Sequence, residues 1–158
     1  MFFKIRLVKK EDVKNIFDLA NDLIVRQNSF HPEFISWQDH VKWFEEKITS
    51  KNCIFYIIED QENNFIGQVR FDKILRDQDV YLIGISIAEE FRGKGLGSLI
   101  LKEVSNKLIK DYKARKIIAH IKEDNKVSIR SFLSVGYNFI AKDFFEQTSF
   151  MKFEYKSY

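Results

Sequence analysis

The sequence predicts one α/β domain built on a mixed, mostly antiparallel central sheet with flanking helices. Three observations carry this. A chain of 158 residues with 45% apolar and 31% charged side chains suits a single soluble core and leaves no room for two. Short apolar runs alternate with helix-period segments in the order β-α-α-β-β-β-α-β-α-β-β. Residues 80–121 read strand, glycine loop, helix, strand, a parallel βαβ unit, whereas the runs flanking it form antiparallel hairpins.

Each element has its own signal. Residues 3–8 alternate Phe, Lys, Ile and Arg before Leu and Val, as a strand does. Glu11–Ile24 sets Val13, Ile16, Phe17, Ala20, Leu23 and Ile24 on one face, predicting one helix. Residues 25–35 break that period and hold Asn28, Ser29, His31 and the sole proline, Pro32, predicting a loop. Ser36 with Asp39 resembles a capping-box start, and Trp37, Val41, Phe44 and Ile48 repeat at helical spacing. The apolar runs 53–59 and 65–72 flank a polar loop and predict a hairpin. Residues 80–88 form a third run, followed by the glycine loop and a helix from Gly97 to about Tyr112 with a stripe of Leu99/Ile100, Val104 and Leu108. A short strand, 116–121, precedes a helix capped at Asp124-Asn125 and stopped by Gly136. Residues 137–144 and 150–155 close the chain as a hairpin.

Composition excludes several classes. The chain is too apolar for intrinsic disorder, and it has no apolar run of the roughly 20 residues that a membrane span needs. Lys and Arg total 26 against 23 Asp and Glu, and the excess of +3 makes no case for nucleic acid. Cys53 is the single cysteine and sits in an apolar run, as a buried thiol would; the three histidines lack zinc-ligand spacing, so no metal is expected. Met1–Arg6 lacks the apolar stretch of a secretion signal, and a cytoplasmic location is the expectation. The 16 phenylalanines suit a bulky core, and those in the closing strands (Phe144, Phe145, Phe150, Phe153) suit either that core or a homodimer contact, leaving monomer or homodimer open.

The chemistry centres on Arg92-Gly93-Lys94-Gly95-Leu96-Gly97, between a strand and a helix. A helix N-terminus presents unpaired N–H groups and about half a positive charge. Glycines allow close backbone approach, so the stretch is a phosphate cradle with Arg92 and Lys94 adding charge. The dinucleotide pattern G-x-G-x-x-G fails at Ser98, and the P-loop pattern fails because Gly95 follows Lys94.

The pattern [R/Q]-x-x-G-x-[G/A] after an apolar strand, matched by Arg92, Gly95 and Gly97, resembles the signature of the GCN5-related N-acetyltransferases. Asn125 followed by Gly136-Tyr137 resembles a second segment of that family, and the resemblance spans almost all of residues 1–158. It implies acetyl-coenzyme A as donor, with its pyrophosphate on the amides of Arg92, Gly93, Lys94, Gly95, Leu96, Gly97 and Ser98. It also implies a splay between strands 80–88 and 116–121, and pantetheine pairing to the backbone of Ile85, Ser86 and Ile87. Asn125 would contact the pantetheine arm or serve as a plain helix cap.

The family uses direct attack by a neutral amine, with a tyrosine as acid to the leaving thiolate. That position here is Phe132, at the cofactor, which has no proton to give; Ser128, Ser131, Ser134, Tyr137 or a water are the alternatives. His120 is the first choice of base, since its ordinary pKa near 6.5 suits proton uptake; Glu123 is the second and Glu89 the third. Each is also explained as an ordinary strand or solvated residue. The acceptor side is expected from the loop holding Arg26, Asn28, Ser29 and Phe30, with Trp43, Gln68 and Arg70. The last two share a strand face that is either solvent or pocket. Val25-Arg26, Ser29-Phe30, His40-Val41-Lys42-Trp43, Gly67–Asp72 and Asn125–Ile129 are similar to a branch that acetylates nucleotide-linked amino sugars in bacterial surface glycan synthesis. On that resemblance the partner is a small-molecule amine, and Arg26 or Arg70 would meet a diphosphate. Protein or peptide acetylation and non-catalytic acyl-coenzyme A sensing are the competing readings.

Overall fold

A computed structural model of the chain describes residues 2–157. Its strands are β1 (Lys4–Leu7), β2 (Cys53–Glu59), β3 (Phe65–Lys73), β4 (Val80–Ile87), β5 (Lys116–Lys122), β6 (Asn138–Phe145) and β7 (Thr148–Lys156). They form one sheet in the order β1-β2-β3-β4-β5-β7-β6. Only β4 and β5 run parallel; every other neighbouring pair is antiparallel. The helices are α1 (Val13–Ala20), α2 (Leu23–Gln27), α3 (Trp37–Thr49), α4 (Leu96–Tyr112) and α5 (Lys126–Val135).

Strand alternation sends one set of side chains to each face, and each face has its own core. Tyr56, Val69, Phe71, Ile83, Ile117, Ala119 and Phe153 meet Ile100, Leu101, Val104 and Leu108 of α4 and Phe132 of α5. On the opposite face, here called the front, Phe55 and Ile57 meet Ile16 of α1 and Phe44 of α3. The sheet is therefore a middle layer between α4/α5 and α1–α3. Both long helices bury one face. The α4 stripe is Ile100, Leu101, Val104, Ser105 and Leu108, and the Ser105 hydroxyl bonds the buried Tyr137 hydroxyl at 2.8 Å. Ser36 caps α3 by accepting from the Asp39 N–H at 3.2 Å, and Asn125 caps α5 from the Ser128 N–H at 3.3 Å.

Four expectations are corrected. The helix predicted over 11–24 is a 3₁₀ turn followed by two helices, because Asn21 and Asp22 bond the backbone through their side chains and compete with a continuous helix. Asn21 exchanges two bonds with Ile35, and Asp22 accepts from Val25 N–H to start α2. Leu23 and Ile24 are consequently exposed, and residues 25–27 are helical rather than loop. Leu99, placed on the buried stripe, points outward, since the stripe runs one residue later. Trp37 lies at the first position of α3, half exposed against Phe17, whereas Trp43 packs on the front core. Of the closing phenylalanines, Phe150 and Phe153 are buried, but Phe144 and Phe145 stand exposed on the edge strand β6.

Cys53 opens β2 beside the front core; its burial, and then Asp72, push the thiol up to about 12. No helix among the described residues is long and apolar enough to cross a membrane.

Two glycines in the β3–β4 ladder separate close packing from open space. A Cβ on Gly67 would stand 2.3 Å from the Ser86 carbonyl oxygen, whereas one on Gly84 would meet only the end of the Arg70 side chain at 3.4 Å. We expect Gly67→Ala to lower unfolding free energy by about 1–3 kcal/mol in urea denaturation, and Gly84→Ala to change it by less than about 0.5 kcal/mol.

Candidate active site

The site begins where two strands part. β4 and β5 pair through Val80–Lys116, Tyr81–Ile117 and Leu82–Ile118, and no further. Beyond that, β4 follows β3 as far as Gly67–Ile87, and β5 follows β7 as far as Lys122–Phe150. The edge of β4 from Ile83 to Ile87 that would face β5 is thus left unpaired by strand. Ile85 and Ile87 turn their side chains to the α4 core, and Ser86 faces the front.

The glycine loop follows at the end of β4. Gly93 and Gly95 both have φ of 73°, in the left-handed region. Gly95 is the N-cap of α4, with no side-chain cap bond and no acidic residue in the first turn. The N–H groups from Gly95 onward are therefore open to an anion. Gly97 is informative in another way: its φ is ordinary and a Cβ there would touch nothing. The chain's own packing does not require glycine at 97, so the space suits a ligand, and the cradle fits a phosphate-bearing group. Leu96 packs on the core below, and Ser98 lies 3.4 Å from the Ser134 hydroxyl of α5.

The two cations beside the cradle are engaged within the chain. Arg92 donates its Nε to the Ile87 carbonyl at 2.8 Å and its Nη2 to Asp22 at 2.8 Å. Burial works to raise the Asp22 carboxyl, but Arg92 and the Val25 N–H outweigh it and hold it below its usual range. Lys94 bonds the Glu90 carbonyl and lies over the Phe91 ring.

Across the gap stands His120, on the front face of β5 and paired with Lys152 of β7. Continuing the parallel register by two residues would set it opposite Gly84. Its ring lies 4.9 Å from Phe150. His120 is exposed on the strand; the desolvation it does undergo, and then Lys152, shift its pKa below its ordinary value, which favours the neutral ring that can accept a proton. Glu123 sits differently: its carboxylate takes the Ser149 hydroxyl at 2.6 Å and Lys142 at 3.0 Å, and these partners hold it low. That makes it a turn anchor and a poor base. Glu89 opens the exposed 3₁₀ turn before the loop.

Ser128 occupies the first turn of α5, where Asn125 serves as the cap. Phe132 is buried at 3% exposure, edge-on to Tyr137, so it fills the core. Tyr137 is buried too, and burial pushes its hydroxyl far above 10 despite its hydrogen bond with Ser105, which removes it as an acid.

The acceptor-side candidates fall into two groups. Trp43, Gln68 and Arg70 come together on the front of β3. Arg70 lies over the Trp43 ring at 5.0 Å and bonds Asp72 at 2.9 Å, while Lys47 holds the other Asp72 oxygen at 2.8 Å. Burial favours a neutral Asp72, but Arg70 and Lys47 prevail and keep it ionised. Gln68 is buried and donates to the Ser86 hydroxyl at 3.4 Å; its Oε1 is the buried side-chain oxygen without a partner among the described residues. Arg26, Asn28, Ser29 and Phe30 are elsewhere, in the segment over the β5 side. Arg26 is correspondingly not a free fork: its Nε bonds the Ala20 carbonyl at 2.6 Å and its Nη1 the His31 carbonyl at 2.7 Å, which shapes the loop. Asn28 ends α2, Ser29 accepts from the His31 N–H, and Phe30 packs edge-on to Phe145 and Phe150. Asp22, Asp72 and Lys152 contact the candidate site residues Arg92, Arg70 and His120 but were not among the expected site residues. Asp22 carries a cap signature, hidden there by the helical period running through it.

A family model described as the acetyltransferase (GNAT) domain matches residues 3–138. YwnH of Bacillus subtilis (strain 168), provisionally named a phosphinothricin acetyltransferase, is 26% identical over 138 residues, 84% of this chain and 82% of its own. The spermidine N-acetyltransferase of Vibrio cholerae, solved with CoA and spermine, superposes with a TM-score of 0.88 at 19% identity, over 98% of this chain and 95% of that one. A dodecameric structure of the same Vibrio enzyme gives a TM-score of 0.81 at 19% identity, over 98% and 93% of the two chains. These structural likenesses are of fold.

Because the Cβ at 97 has open space, Gly97→Ala should stabilise the free protein by about 0.5–1 kcal/mol through helix propensity alone. The urea midpoint measures it.

Proposed function

Since the chain belongs to the GNAT acetyltransferase family, we propose that it transfers an acetyl group from acetyl-coenzyme A to the primary amine of a small polar molecule, best an amino sugar linked to a nucleotide. The observation that carries the donor half is the parting of β4 from β5 next to an uncapped helix start with open space at Gly97. Bound there, acetyl-coenzyme A supplies an activated thioester. The open amides from Gly95 onward would hold its phosphates, whereas the expected Arg92 N–H is taken by the Glu89 carbonyl at 3.1 Å, and the unpaired edge of β4 would hydrogen-bond its amide-bearing arm.

The charge of the front face supports the acceptor half. Its carboxylates are already paired: Asp72 with Arg70 and Lys47, Asp143 with Lys152, and Glu154 with Lys116 and Lys156. A polyamine needs free carboxylates, whereas Gln68, Ser86, Arg70 and Trp43 suit hydroxyls, a ring and an anion. A ring nitrogen of His120 takes the proton from the attacking amine, and direct attack leaves Cys53 without a role. With Phe132 in the core, a water or the Ser128 hydroxyl returns a proton to the leaving sulfur. A reducing cytoplasm suits the chain's single cysteine, which is half-buried rather than buried as expected because it stands at the start of β2, at the margin of the front core.

Two measurements test this. Thiol release from acetyl-coenzyme A should be at least about tenfold faster with a nucleotide-linked amino sugar than with spermidine, phosphinothricin or a peptide. Faster turnover of another amine reassigns the acceptor, and tight coenzyme A binding without turnover on any amine makes the protein a sensor. For the base, wild-type kcat/KM should fall on the acid side along a limb below 6.5, because protonated His120 cannot accept the amine's proton. His120→Gln should lower kcat about 10²-fold or more and abolish that limb.

A further inference from the structure

The helix α2 is only five residues long and buries none of them; Leu23 and Ile24 are 70% and 47% exposed. A helix this short has little stability of its own, so its pins set its position. At its start Asp22 receives both the Val25 N–H at 3.1 Å and Arg92 Nη2 at 2.8 Å, and the same guanidinium holds the Ile87 carbonyl that ends β4. At its end the Gln27 carbonyl accepts from Lys122 Nζ at 2.8 Å, at the end of β5. Phe30, three residues on, rests on Phe150, which in turn contacts His120. The helix thus straps the mouth of the gap, tied to β4 and the glycine loop on one side and to β5 on the other.

We propose that Arg92 and Asp22 are positioning residues that couple the cofactor loop to this strap, so that coenzyme binding at 92–98 fixes the acceptor-facing segment 22–31. The inference rests on the glycine loop being the coenzyme site. Because coupling is reciprocal, a pinned strap also strengthens coenzyme binding.

Asp22→Asn isolates the pair, since asparagine caps a helix as well as aspartate but carries no charge for Arg92. The probe is coenzyme A alone, read by amide hydrogen exchange and calorimetry. In the wild type, coenzyme A should slow exchange at 92–98 and at 22–31. In Asp22→Asn it should still slow 92–98 but no longer 22–31, with Kd raised about 3- to 10-fold. Asp22→Glu should restore both, which a merely structural lesion would not allow. Arg92→Gln, which keeps a donor for the Ile87 carbonyl, should repeat the Asp22→Asn pattern and serves if that variant folds poorly. Equal protection of 22–31 in the wild type and the variants, or protection of 92–98 alone in the wild type, overturns the coupling. An absence of protection at 92–98 in the wild type overturns the coenzyme reading with it.

Discussion

The molecule depends on one constraint: the neighbours of β4 and β5 draw them apart. β4 is held to β3 through Ile87, at a place where only a glycine at 67 lets the two backbones close. β5 is held to β7 through Lys122. Each strand follows its own antiparallel ladder, and the right-handed twist of a sheet turns neighbours that stop pairing progressively away from one another. The gap is therefore a product of pairing elsewhere in the sheet. The candidate site is arranged around it, with the glycine loop at the end of one strand, His120 on the other, and α2 across the mouth.

What was legible in the sequence was what local chemistry decides. The strand, glycine loop and helix start across Arg92–Gly97 were legible because they are consecutive in the chain. The α3 and α5 caps were legible for the same reason. The break at Asn21-Asp22 was not, because the apolar period runs through it and only Ile35, Val25 and Arg92 show where those two side chains bond. The face shared by Gln68 and Arg70 was predicted, but whether it met solvent or protein depended on α1 and α3, whose packing no strand pattern encodes. Phe132 was expected at the cofactor; it lies instead in the core between α5 and Tyr137, because its ring falls on the buried face of α5.

Electrostatics shows how little a total says. The net charge of +3 predicts nothing, yet its distribution separates two environments. On the front of the sheet Asp72, Asp143 and Glu154 are each held by a lysine or arginine, beside neutral hydrogen-bonding groups, an aromatic ring and His120. At the glycine loop the positive side chains are themselves engaged, so an anion placed there would be held chiefly by backbone amides. Amide dipoles do not titrate, and a site built on them keeps its character across a wide pH range.

The state of Cys53 bears on how this chemistry can be watched. A thiol pushed up by burial and by Asp72 is mostly protonated near neutral pH, and the thiolate is the form that reacts with electrophilic dyes. A chromogenic disulfide added to the reaction therefore reports free coenzyme with almost no background from the protein. A second cysteine placed on the strap would, by the same difference in reactivity, take a fluorescent label at one site, with the native residue left in place.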